Sequence, residues 1–183
     1  MTEIEKMIAG EKYDALDAEV LAQRMRAHDL CHALSLIKPS DLEGKNAIMR
    51  ELLPNAPKSS FITPPFFCDY GWNITLGKQF YCNTGCVILD GAPVKIGDHV
   101  LLAPNVHIYT ATHAINPDER SALIQWTEPV CIGNKVWVGG NSTICPGVTI
   151  GDGSIIGAGS VVTKDIPANV VAGGSPCRII REI

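Results

Sequence analysis

Between Tyr109 and Gly133 the chain reads YTATHAINPDERSALIQWTEPVCIG, and its most reactive side chain is His113. An imidazole takes up a proton near neutral pH, which suits it to draw one from a hydroxyl that must become a nucleophile. A loop histidine with no visible partner is, on general grounds, more often solvated than catalytic, so its surroundings must supply the argument. Asn116-Pro117-Asp118 marks a turn further on, and Trp126 and Pro129 are expected to anchor the segment by apolar contact. The seven cysteines (Cys31, Cys68, Cys82, Cys86, Cys131, Cys145 and Cys177) are scattered, odd in number and form no CxxC pair. Neither a disulfide framework nor a zinc ribbon has that spacing, so they are read as reduced and mostly buried thiols.

The segment interrupts a repeat, and the repeat must position it. From Leu76 onward an aliphatic or similar residue recurs every six positions: Leu76, Cys82, Ile88, then after a slip at Ala92-Pro93, Ile96, Leu102 and Ile108. After the break come Ile132, Val138, Ile144, Ile150, Ile156 and Val162. The next residue is usually small, as in Gly77, Gly97, Gly133 and Gly139. Residues six apart lie on nearly opposite sides of a helix, and an ordinary sheet alternates every two, so neither fits. The pattern predicts a solenoid in which each hexad forms one strand and one corner, three hexads close a triangular coil, and the small residue lets the chain turn. These positions predict about four coils, spaced roughly 4.8 Å apart. Cys82 falls on a repeat position and Cys86 four residues later, so both should point inward. An insertion leaves a solenoid at a corner and returns to one, which makes residues 109–131 an external loop.

Residues 1–57 differ in kind. Leu16, Val20, Ala27, Cys31 and Leu34 recur at helical spacing, and Leu42, Met49 and Leu53 begin a second pattern after Pro39-Ser40-Asp41. Two or three helices with so few large apolar residues must pack on the rest of the chain or on another subunit. The domain division is therefore a helical region, 1–57, and a β-solenoid, 58–183. In 183 residues with a formal net charge of −4 there is no like-charge block for nucleic acid or anionic lipid. No apolar run reaches membrane-spanning length and no cleavable leader is visible, so a soluble, cytoplasmic protein is expected.

The stretches AGEKYDA, CDYGWNITLG, FYCN, APNVHIYTATHA, VWVGGNSTICPGVTIG and VVTKDIPANVVAGGSPCRII together resemble the maltose and galactoside O-acetyltransferases, a family of hexapeptide-repeat acyltransferases. The resemblance implies a mainly β fold, the left-handed parallel β-helix, with a helical N-terminus and a protruding loop. It also implies a homotrimer with sites between neighbouring prisms, acetyl-coenzyme A as donor, a sugar as acceptor and no metal. In this family the loop histidine, here His113, is the general base, although Ala114 stands where many relatives have proline. Transfer is direct: the acceptor oxygen attacks the thioester while a backbone N–H or side-chain amide stabilises the oxyanion. By the same carry-over Asp69, Tyr81, Asn83 and Asp90 match or neighbour acceptor positions. Asp69 agrees with the maltose-type enzymes where galactoside enzymes have serine. Gly140, Ala158, Thr163 and Lys164 match the line of the pantetheine arm, with Arg178 and Arg181 at the nucleotide phosphates. Gly140 replaces a serine of the galactoside enzymes, so any contact there is through backbone. Arg24 matches a family arginine and equally suits a solvated helix charge; the family's N-terminal acceptor aspartate aligns with Ala15, which leaves Asp14 or Asp17 as its neighbours.

Three other readings remain open at this stage. A hexapeptide acyltransferase for a galactoside, an amino sugar or an antibiotic would share histidine and donor. A zinc-dependent hydratase on the same fold would need His99, His107 and His113 to converge, yet His107 precedes inward Ile108 and should point away. A solenoid used only for assembly needs no site.

Overall fold

The computed structural model describes residues 1–183. The repeat folds as the expected left-handed parallel β-helix, a triangular prism with three sheet faces. The first face stacks strands Phe61–Ile62, Tyr81–Cys82, Leu101–Leu102, Trp137–Val138, Ile155–Ile156 and Val170–Gly173, closed by the antiparallel strand Arg178–Glu182. The second face stacks Phe66–Cys68, Cys86–Leu89, His107–Tyr109, Thr143–Ile144 and Val161–Val162. The third stacks Ile74–Leu76, Val94–Ile96, Val130–Ile132 and Thr149–Ile150. Inward residues sit on one another in register, Ile88 beside Ile108 and Val138 beside Ile156.

The prism has about six turns, more than the repeat spacing predicts. Its first coil, built on Ile62, Cys68 and the strand Ile74–Leu76, enters the legible repeat only at Leu76, because prolines and the Tyr70-Gly71-Trp72 corner break the hexad before it. The corners also turn differently from expectation. The residue in the left-handed conformation is the third after each aliphatic: Gln79, His99 and Lys135 have φ of 54°, 56° and 56°, and Gly85 77°. The small residue just after the aliphatic is needed because the next coil passes over it. A Cβ on Gly77 would lie 2.3 Å from the carbonyl carbon of Gly97, and one on Gly139 2.5 Å from the backbone nitrogen of Ala158.

Three helices, α1 (Glu3–Ala9), α2 (Ala18–Leu36) and α3 (Leu42–Leu52), cover the first coil. Thr2, Asp17 and Asp41 cap their N-termini by accepting backbone N–H bonds. Ala27, Cys31, Leu34, Leu52 and Leu53 join the inward column of the prism in a single apolar core, so the helices complete the solenoid. Leu16 and Leu42 are exposed, despite their helical spacing, because they stand before α2 and at the first residue of α3. All seven cysteines are free; Cys82 and Cys86 are fully buried, as their positions predict.

Candidate active site

The break in the repeat forms an arm at the second edge of the prism, where the second face turns into the third. Strands Ala111–His113 and Gln125–Thr127 pair antiparallel, His113 opposite Gln125, and a short helix, α4 (Pro117–Ser121), forms the tip. Asn116 caps α4, accepting from the N–H of Asp118 at 2.8 Å and of Glu119 at 3.3 Å. The helical region pins the arm: Gln125 Nε2 donates to Tyr13 Oη at 2.7 Å, Thr127 Oγ1 donates to the carbonyl of Met7, and Lys12 pairs with Glu119. The anchors differ from the expected Trp126 and Pro129. Ala114 and Thr127 are buried, whereas Trp126 is half-buried and Pro129 exposed, since hydrogen bonds to the Met7 carbonyl and the Tyr13 hydroxyl hold the arm. His113 is exposed, and its ring makes no hydrogen bond within the chain.

On the same edge Asp69 and Asp90 form a layered pair. Asp90 is fully buried and gives one oxygen to the N–H of Asp69 (3.0 Å) and Tyr70 (2.9 Å), the other to the N–H of Gly71 (2.7 Å). Within the single chain Asp90 therefore positions the Asp69 corner from behind, and one lone-pair direction of its second oxygen stays uncommitted. Asp69 stays partly exposed, with His28 Nε2 at 3.5 Å from Oδ1, the outer limit of a hydrogen bond. Burial raises the Asp69 carboxyl, opposed by His28 and by the charge of Arg24. Burial pushes Asp90 further, up to about 6, against the pull of the Tyr70 and Gly71 N–H groups.

Replacing Asp90 with asparagine offers one acceptor oxygen to three donors and is expected to cost about 1–3 kcal/mol of stability. Because its folded carboxyl is raised above the ordinary 3.8, Asp90 contributes stability that is full below about pH 4 and lost as pH rises through about 6. The stability gap between wild type and Asp90→Asn should narrow over that window, as read by urea denaturation.

The remaining candidates divide between two edges of the prism. Asn83, Gly140 and Ala158 stack along the first edge, where the first face turns into the second, joined by bonds such as Gly159 N–H to the carbonyl of Gly140 at 2.8 Å. Tyr81 lies beside them on the first face, its ring stacked on Phe61 at 5.8 Å and 3°, and Arg178 and Arg181 stand exposed on the last strand of that face. Asp69, Asp90, His113, Thr163 and Lys164 belong to the second edge. Asn83 accepts the Thr84 N–H on its oxygen and leaves its amide NH₂ without a partner in the chain. Lys164, Arg178 and Arg181 form no ion pair. His99 sits on the third edge, His107 on the second face bonded to Tyr109 Oη at 2.8 Å, and His113 on the arm, so the three histidines do not converge. No group of three His, Cys, Asp or Glu side chains could hold a metal ion.

Sequence reasoning missed the side chains around Asp69. Tyr13, in AGEKYDA, bridges the arm to the helices, and His28 reaches Asp69 from α2 with its ring 4.6 Å from Phe67. The sequence signal for His28 was a polar residue one place after buried Ala27, too common to single out. The charge of Arg24 opposes the rise of the Asp69 carboxyl, but Arg24 forms no ion pair with it. Asp17 is spent on the α2 cap and Asp14 on the N–H of Leu16.

The fold has counterparts among known proteins. Residues 6–57 match the maltose acetyltransferase hexapeptide capping motif, and residues 132–164 the bacterial transferase hexapeptide (six repeats). A Saccharomyces cerevisiae protein named as an acetyltransferase is 48% identical over 181 residues, covering 98% of this chain and 92% of that protein. The crystal structure of a maltose O-acetyltransferase from Clostridium difficile superposes with a TM-score of 0.98 at 45% identity, covering 100% of this chain and 98% of that one. A galactoside acetyltransferase in complex with coenzyme A superposes with a TM-score of 0.96 at 40% identity, covering 100% and 92%. The chain belongs to the hexapeptide-repeat acetyltransferases, in the group that contains the maltose and galactoside O-acetyltransferases.

Proposed function

We propose that this acetyltransferase moves an acetyl group from acetyl-coenzyme A to a hydroxyl of a maltose- or glucose-type sugar, at a site made by two copies of the chain within a homotrimer. The observation that carries the reading is the division of the candidate residues between two edges. The face between them is three to four residues wide, about 10 Å or more. A base must come within about 3 Å of the proton it removes. The arm that bears His113 is tied back to α1 and Tyr13 instead of crossing that face, which supports a site completed by the first edge of a second prism.

The chain's residues suit the donor. Gly140 and Ala158 keep the first edge low, and a Cβ on the adjacent Gly159 would meet nothing within 4 Å. Arg178, Arg181 and Lys164, exposed and unpaired, are available to phosphates, while Thr163 lines the second edge. Acetyl-coenzyme A supplies an acetyl group already activated as a thioester. His113 accepts the proton of the acceptor hydroxyl through a ring nitrogen, and the free amide NH₂ of Asn83 can donate to an acceptor oxygen. Asp69, held by Asp90, accepts from sugar hydroxyls and fixes which one faces His113, with Tyr81 beside it from the other copy.

Acceptor choice is tested by kcat/KM for glucose, maltose, a galactoside, an amino sugar and chloramphenicol. Wild type should favour glucose or maltose. Asp69→Ser should lower that preference by about tenfold or more, because a hydroxyl replaces a charged acceptor. A wild-type preference for the amino sugar or the antibiotic would assign the chain to another acceptor class.

A further inference from the structure

A second cleft, of about 430 Å³, lies between α3 and the edge strand Phe61–Ile62, against the first coil. It stands at the opposite end of the first face from Arg178 and Arg181. Lys45, Arg50 and Lys58 line it with the hydroxyls of Ser59 and Ser60, and no carboxylate lines it. None of the three cations has an ion-pair partner.

Two of these groups are left incomplete by the fold. Lys45 is only 8% exposed, and its ammonium rests 3.8 Å from the centre of the Phe61 ring with no hydrogen bond in the chain. A ring face returns only part of the hydration that a buried ammonium gives up, and burial accordingly lowers the Lys45 pKa. Ser60 Oγ is the one buried side-chain oxygen or nitrogen without a hydrogen-bond partner. Ser59 Oγ accepts the Gln79 N–H at 3.1 Å, which leaves its own proton to donate. A buried cation, two unspent hydroxyls and two further cations, with no counter-charge, describe a site for an oxyanion bearing more than one negative charge.

We propose that this cleft binds a small phosphomonoester, its phosphate on Lys45, Ser59 and Ser60 with Arg50 and Lys58 at the rim, and its carbon body against Leu42 and Met49. A singly charged carboxylate would leave most of the positive charge unanswered. The site shares no residue with those assigned above to acetyl transfer and does not rest on them, although Phe61, beneath Lys45, stacks on Tyr81.

The test is calorimetry with inorganic phosphate and glucose 6-phosphate on protein saturated with coenzyme A, so that its own phosphate-binding residues are occupied. Wild type should bind glucose 6-phosphate, and inorganic phosphate more weakly. Lys45→Met should weaken binding tenfold or more, the loss of one charge-assisted contact. Methionine suits a helix and fills the same space, and the melting temperature checks that the variant folds; should it fail, Ser60→Ala and Lys58→Ala carry the same expectation. Arg178→Ala/Arg181→Ala should bind as wild type does. The proposal is overturned if wild type binds neither probe. It is equally overturned if binding survives Lys45→Met and Ser60→Ala, or is lost only with Asp69→Ser or the C-terminal arginine pair, since the phosphate would then lie in the acetyl-transfer site.

Discussion

His113→Ala is expected to lose acceptor-dependent release of thiol from acetyl-coenzyme A by about 10²–10⁴-fold, the range a positioned general base supplies. The loss should fall on kcat, with coenzyme A binding unchanged, because the imidazole acts only as the proton leaves the acceptor. His113 is exposed and makes no hydrogen bond within the chain, so its removal should shift stability by no more than about 0.5 kcal/mol. That separates a chemical effect from a structural one. A variant that melts like wild type, binds coenzyme A like wild type and retains more than a tenth of wild-type kcat would remove His113 from the base role.

The second large effect is recovery of activity on mixing two inactive variants. Ala158 is exposed on the first edge, so Ala158→Trp should fold normally while blocking the pantetheine line. His113→Ala disables the second edge. If each site takes one edge from each of two neighbours, refolding the variants together in equal amounts restores both intact edges to about a quarter of the sites. Activity should rise from near nothing to roughly that fraction of wild type. A site contained within one chain would stay dead in the mixture, whatever the proportions.

Much of this molecule can be read in its sequence because a solenoid is repetitive. Ile132 to Val162 fall every six residues since each must fill the same interior from one side of a triangle, and the structure buries all of them. The first coil escapes that reading. Its corner at Tyr70-Gly71-Trp72 is shaped by Asp90, some twenty residues away, whose two oxygens gather three N–H groups. Periodicity cannot report a side chain that holds another coil's backbone. For the same reason the sequence gives no sign that Asp90 is buried and holds the backbone of the Asp69 corner. His113 could be located by the break in the repeat, but its role came from resemblance, because nothing near it in the chain marks it as a base. The contacts that aim the arm, Gln125 to Tyr13 and Thr127 to Met7, join positions more than a hundred residues apart and leave no local trace.

The most direct measurement tracks the acetyl group itself. Wild type and His113→Ala are each incubated with acetyl-coenzyme A and an equimolar mixture of glucose, maltose, a galactoside, an amino sugar and chloramphenicol, with thiol release monitored and products identified by mass. The account predicts one acetyl group on glucose or maltose in step with thiol release, and neither signal with His113→Ala. Thiol release with no acetylated acceptor, or equal acetylation by both proteins, would contradict it.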